Sequence, residues 1–199
     1  MQGHPLGLPG LTIGLLGGSF DPPHEGHVHI TRIAIKIFNL SRLWWLVSPA
    51  NPIKDTAPSD INKRFLESKQ IMNHPLVSIS DIEKKLQTKF TFQTLIKIKK
   101  LYPGTRFVWL MGADNLVNFH HWKNWDWIMK NVPIGVLARP KEQIKAGLSP
   151  AATMFRKYRL PKEKSFLLPY LSPPIWTLVT GPMRNISSSK LRGIGFVNN

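Results

Sequence analysis

Short apolar runs recur along the chain, separated by stretches whose apolar residues fall at helical spacing. Residues 11–16 form the first run and are closed by Gly17 and Gly18. A run this short and continuous fits a strand buried on both faces better than a helix. After Pro22 and Pro23, the positions Ile30, Ile33, Ala34 and Ile37 return every three or four residues, the stripe of an amphipathic helix. The chain therefore opens as strand, tight turn, helix.

Runs at 43–47, 77–80, 107–111, 134–138 and 176–179 predict five further strands, and the spacing predicts helices over 65–72, 91–101 and 125–130. Pro49, Pro75, Pro103 and Pro140 stand where these elements stop, because a proline disfavours helical geometry in the residue before it. Residues 50–60, with Pro52 and Pro58, read as a loop. Residues 141–174 are rich in charge and proline and have the weakest periodicity, so an irregular excursion is expected there. Its basic cluster of Arg156, Lys157, Arg159, Lys162 and Lys164 reads as a solvated surface. Continuous apolar strands alternating with helices predict an α/β fold, an open parallel sheet with helices on both faces. No repeat or low-complexity linker divides the 199 residues, so one domain is expected, with 1–10 as a tail.

Charge adds a constraint: 27 Lys and Arg against 11 Asp and Glu leave a formal net charge of +16. Such a surplus wants an anionic partner, and nucleic acid, a membrane surface, nucleotides and phosphorylated metabolites all qualify. No helix-turn-helix, RRM, KH or zinc-finger signature is present, which disfavours nucleic acid. There are no cysteines, which excludes disulfides and thiolate chemistry and suits a reducing compartment. The first sixteen residues have no cation before their apolar part and are broken by Pro5 and Pro9, unlike a signal peptide. Nor does any stretch approach the roughly 20 apolar residues of a membrane helix. A cytoplasmic protein without membrane association is expected. A homo-oligomer is compatible with the sequence.

Chemistry concentrates after the first strand, in Gly17-Gly18-Ser19-Phe20-Asp21-Pro22-Pro23-His24-Glu25-Gly26-His27. Ligands of open parallel sheets bind beyond the C-terminal ends of strands. Two glycines admit a bulky group close to the backbone, and a following helix N-terminus offers N–H groups to an anion. The segment is neither a G-x-G-x-x-G fingerprint nor a Walker loop. His24 and His27, three apart at a helix start, share one face and can donate to a phosphate whose charge grows in a transition state. Spacing alone leaves a capping role open for them, and it does not match a zincin helix, so no metal site is expected. A second anion-site candidate is Ile186-Ser187-Ser188-Ser189-Lys190-Leu191-Arg192, with hydroxyls at a helix start and a guanidinium one turn on.

Together, G-G-S-F-D-P-x-H-x-G-H and I-S-S-S-x-L-R resemble the paired motifs of the nucleotidyltransferase superfamily. Asn51-Pro52-Ile53-Lys54, Phe90-Thr91-Phe92-Gln93-Thr94-Leu95, Gly112-Ala113-Asp114-Asn115-Leu116 and the later Trp122 and Trp125 narrow this. They are similar to nicotinate mononucleotide adenylyltransferases. The resemblance spans about residues 11–192 and implies the Rossmann-like nucleotidyltransferase fold. It implies adenylyl transfer from ATP, with Mg2+, to nicotinate mononucleotide, releasing pyrophosphate and using no protein nucleophile.

As catalytic residues the resemblance implies His24, His27, Lys54 and Arg192. ATP would meet Gly17, Gly18, Ser19, Phe20, Gly112, Asp114, Ile186, Ser187 and Ser188, with Asp114 at the adenosine ribose. Trp122 would stack on the pyridine ring, and N–H groups near Thr91 and Lys123 would receive the nicotinate carboxylate. Sister enzymes using nicotinamide mononucleotide or phosphopantetheine are the alternative acceptors. Two departures stand out: Ser189 replaces the usual Thr, and Phe90 replaces a common Tyr. The chain also ends seven residues after Arg192, sooner than such enzymes usually do.

Overall fold

In a computed structural model of the chain, residues 4–49, 58–138 and 142–180 are described. Six strands form one fully parallel sheet: β1 (Thr12–Gly18), β2 (Arg42–Val47), β3 (Val77–Ser80), β4 (Arg106–Gly112), β5 (Ile134–Ala138) and β6 (Trp176–Thr180), ordered β3-β2-β1-β4-β5-β6. The helices are α1 (Glu25–Ile37), α2 (Ile61–Ile71), α3 (Ile82–Lys85), α4 (Thr91–Leu101), α5 (Ala113–Val117), α6 (Trp125–Asn131), α7 (Gln143–Gly147) and α8 (Pro150–Met154).

The alternation of side chains along each strand makes two cores, one per face. Ile13, Leu15, Trp44, Trp109, Val136 and Trp176 point to one face, where α4, α5 and α6 contribute Leu95, Ile98, Leu116 and Ile128. Leu16, Leu43, Trp45, Val108, Leu137 and Val179 point to the other, covered by Val28 and Ala34 of α1 and flanked by Ile61, Phe65 and Ile71 of α2. Burial on both faces is why these strands read as unbroken apolar runs.

The structure amends the expected elements in three places. β1 runs on through Gly17 and Gly18 instead of stopping before them. Two short helices, α3 and α5, appear where no periodicity was legible, since four or five residues are too few to show one. Residues 142–174 are not irregular: α7 and α8 lead into two 3-10 turns, Arg156–Tyr158 and Lys162–Tyr170. They bury Ala151, Phe155, Leu160 and Leu168 against the sheet. Arg156, Lys157, Arg159, Lys162 and Lys164 stay exposed there, as expected, with Arg159 also lying over the Trp176 ring at 5.4 Å.

Candidate active site

Strand order reverses direction between β1 and β4, and a parallel sheet opens a crevice at such a switch. The register sets Leu16 beside Leu110. Residues 17–20 and 112–114 therefore lie at the same end of adjacent strands, and this crevice gathers both groups of expected nucleotide residues.

The turn after β1 is anchored on both sides. Phe20 adopts φ +47°, left-handed backbone that a bulky side chain rarely takes. Its ring is 1% exposed, stacked on Trp45 at 4.6 Å and tilted against His27 at 4.8 Å. Asp21 accepts from the N–H and hydroxyl of Ser59 at 3.2 and 2.6 Å. Trp45 is fixed in turn by its indole N–H, which donates to Thr31 at 2.7 Å.

The two histidines cap α1. His24 is the N-cap; its Nδ1 accepts from Gly26 N–H at 3.0 Å, while its own N–H donates to His27 Nδ1 at 3.3 Å. A ring nitrogen that accepts an N–H carries no proton, so in each neutral imidazole the proton sits on Nε2. The rings lie 3.9 Å apart, His24 buried and His27 half-buried. Both Nδ1 atoms are thus engaged at the start of α1.

Gly112 and Asp114 adjoin a cleft of about 340 Å³ lined by Ala113, Asp114, Val117, Asn118, Glu142 and Lys145. Asp114 is exposed in the first turn of α5, as a group meeting a ribose would have to be. Thr91 begins α4, whose first turn holds no acidic residue. Gln93 Oε1 accepts from Lys89 and Phe90 N–H, both at 3.2 Å, and the N–H groups of the first helical residues have no intrahelical acceptor. Trp122 ends a 3-10 turn, half-buried, with its ring 5.2 Å from Phe119 and 6.3 Å from Trp109. The ring packs against the edge of the core on the α4–α6 face of the sheet, with one side left partly open. Lys123 is exposed next to it. Lys54, Ile186, Ser187, Ser188 and Arg192 lie outside the described residues.

Two buried charged groups escaped sequence reasoning. Arg64 of α2 is fully buried and donates to the main-chain carbonyls of Ser19 in the β1 turn and Ser59 just before α2. Glu83 of α3 is buried too: its carboxylate accepts from the hydroxyls of Ser48 at 2.9 Å and Thr94 at 3.3 Å, joining the end of β2 to the first turns of α4. Burial raises the Glu83 pKa, and these hydroxyl bonds offset only part of the rise. Among the described residues, no three His, Cys, Asp or Glu side chains cluster in a way that could hold a metal ion, and no helix is long and apolar enough to cross a membrane.

Residues 15–194 match the model of the cytidylyltransferase-like family. The chain is 54% identical over 185 residues to a probable nicotinate-nucleotide adenylyltransferase of Ruegeria sp. (strain TM1040), covering 93% of this chain and 98% of the relative. It is 50% identical over 194 residues to one of Roseobacter denitrificans (strain ATCC 33942 / OCh 114), covering 98% of each. Its fold is similar to that of a Plasmodium falciparum nicotinic acid mononucleotide adenylyltransferase complexed with NaAD. That match has a TM-score of 0.72 at 18% identity and covers 95% of this chain and 86% of the other.

Proposed function

The chain belongs to the nicotinate-nucleotide adenylyltransferases of the cytidylyltransferase-like family, and from that premise we propose how its site transfers an adenylyl group from ATP to nicotinate mononucleotide. An oxygen of the mononucleotide phosphate attacks the α-phosphorus of ATP. The bond to the bridging oxygen breaks, and pyrophosphate leaves with the electron pair. Positioning and charge neutralisation carry such a transfer, and no protein nucleophile is needed.

The observation that carries the proposal is the tautomer lock on His24 and His27. With both Nδ1 atoms accepting backbone N–H groups, the hydrogen that each neutral ring would bring to phosphate oxygens is the one on Nε2. Such donors favour the state in which those oxygens carry most charge. Gly17, Gly18, Ser19 and Phe20 form the rim beside them, and Gly112 and Asp114 meet the adenosine ribose across the crevice. Lys54, Ile186, Ser187, Ser188 and Arg192 are assigned to the triphosphate and pyrophosphate through their motif alone. Trp122 stacks on the pyridine ring, and N–H groups near Thr91 and Lys123 receive its carboxylate. Mg2+ enters as part of the ATP substrate, since Mg2+ commonly keeps its waters and binds through phosphates.

The test is pyrophosphate release from ATP and Mg2+ with a panel of acceptors. Nicotinate mononucleotide should give the highest kcat/KM, ahead of nicotinamide mononucleotide and phosphopantetheine. Equal or faster turnover of the amide would overturn the acceptor assignment. Folded His27→Ala and Arg192→Ala variants should each lose about 10²–10³ in kcat, the usual loss for one donor to a developing charge.

A further inference from the structure

Helix α2 carries a fully buried arginine, and the guanidinium of Arg64 is spent on main-chain carbonyls. Nε donates to Ser59 O at 2.8 Å, Nη1 to Ser19 O at 2.5 Å and Ser48 O at 2.8 Å, and Nη2 to Pro49 O at 3.3 Å. Burial lowers its pKa, the charges of Asp21 and Asp60 oppose that, and the guanidinium keeps its proton. A buried cation is costly to desolvate, and anchoring an amphipathic helix does not require one. The fork geometry does explain the residue type: it reaches acceptors on three separate segments, which an ammonium on a flexible stem cannot do as rigidly.

Those segments all border the site. Ser19 follows β1, Ser48 and Pro49 follow β2, and Ser59 precedes α2. A trans peptide sets its C=O and N–H on opposite sides, so capture of Ser19 O turns the Phe20 N–H away from Arg64. The same peptide enters the left-handed Phe20, whose ring stacks on Trp45 and packs against His27, with His27 and Trp45 also meeting edge-on at 5.8 Å.

We propose that Arg64 is a positioning residue for adenylyl transfer: by holding the Ser19 carbonyl it fixes the left-handed Phe20 and, through the Phe20 ring, the orientation of the His27 imidazole. Its bonds to Ser48 and Pro49 tie the residues that follow β2 to the same frame. This role rests on the reaction proposed above.

The test uses the full chain with Arg64→Lys and Arg64→Met. One readout is steady-state kinetics with ATP and nicotinate mononucleotide. The other is the NMR position of the His27 imidazole protons, assigned by their loss in His27→Ala and sensitive to the ring currents of Phe20 and Trp45. Arg64→Lys keeps charge and stem but loses the fork. It should fold, lower kcat by about tenfold or more, change the acceptor KM by less than about threefold, and shift the His27 resonances while those of His74 stay put. Arg64→Met should show a larger kcat loss and the same NMR change. A wild-type kcat or unmoved His27 resonances in Arg64→Lys would overturn the proposal. So would failure of both variants to fold, which would make Arg64 a requirement of the fold. If the unmodified chain released no pyrophosphate with nicotinate mononucleotide, the reaction itself would fall, while the His27 resonances would still decide the role of Arg64.

Discussion

Gly17→Ala makes a direct test of how tightly the crevice is built. A Cβ at this position would overlap Trp109 Cη2 and stand 3.0 Å from Cζ2 and 3.4 Å from Cζ3. All three atoms belong to the benzo ring of an indole that is 2% exposed, so the ring has little room to retreat. Overpacking of this kind costs about 1–3 kcal/mol. Gly17 lies in a strand without positive φ, so alanine also stiffens the unfolded chain and returns about 0.4–1 kcal/mol. A net loss of about 1.3 kcal/mol is expected, and at roughly 2–4 °C per kcal/mol for a chain of this size, Tm should fall by about 3–5 °C.

The diagnostic step is the double variant with Trp109→Phe, which removes the obstructing ring. The Trp109 indole N–H has no hydrogen-bond partner among the described residues, so this change breaks no bond there and the cycle reports the steric contact. Urea and thermal unfolding followed by circular dichroism should find the double variant at least about 1 kcal/mol more stable than the sum of the single changes, within the range seen for touching residues. Additivity to within about 0.5 kcal/mol would show that Gly17 does not owe its identity to Trp109.

Three shorter predictions follow from the same geometry. His24→Ala should lose the α1 cap, about 0.5–2 kcal/mol by chemical unfolding, together with activity; His24→Asn should recover the stability without the activity. Recovery of both would remove Nε2 from the mechanism. Burial holds the Glu83 carboxyl above its ordinary range, so the folded chain binds that proton more tightly than the unfolded chain. The stability this lends is fully present below the unfolded pKa, near about 4.3, and is lost as pH rises through the folded value. Glu83→Gln should flatten that slope in urea midpoints measured from about pH 4 to neutrality, and unchanged slopes would contradict it. Trp122→Ala should raise the KM for nicotinate mononucleotide by about tenfold, since stacking on an aromatic face is worth about 1–3 kcal/mol per base, while Trp122→Phe recovers much of it. An unaltered acceptor KM in Trp122→Ala would send that ring back to the core.

Most of the sheet was readable because β1, β2, β4 and β5 are short, apolar runs closed within two residues by glycine or proline. The β1 turn was readable because its chemistry is local: glycines, a helix start and two imidazoles within eleven residues. What escaped was non-local. Arg64 sits in the charged sequence Asn62-Lys63-Arg64, and nothing there sets it apart from its exposed neighbours. It is buried because carbonyls from residues 19, 48, 49 and 59 converge on it. Glu83 likewise lies in Asp81-Ile82-Glu83-Lys84-Lys85, a string that reads as solvated, yet it turns inward to Ser48 and Thr94. Residues 142–174 misled for a different reason, because helices of five residues never complete the turns that make a stripe visible.

Groups assembled for chemistry usually sit at some cost to the fold, so that activity and robustness compete during evolution. The first helix would escape that conflict, because the Nδ1 atom that seals its open end belongs to the same ring as the Nε2 to which the proposed reaction is assigned. A drift mutation at His24 would meet selection twice, once through turnover and once through protein abundance. Attempts to make this enzyme more heat-resistant can therefore leave its catalytic turn alone, and should find their gains farther out along the exposed face where Leu148 and Met154 meet water.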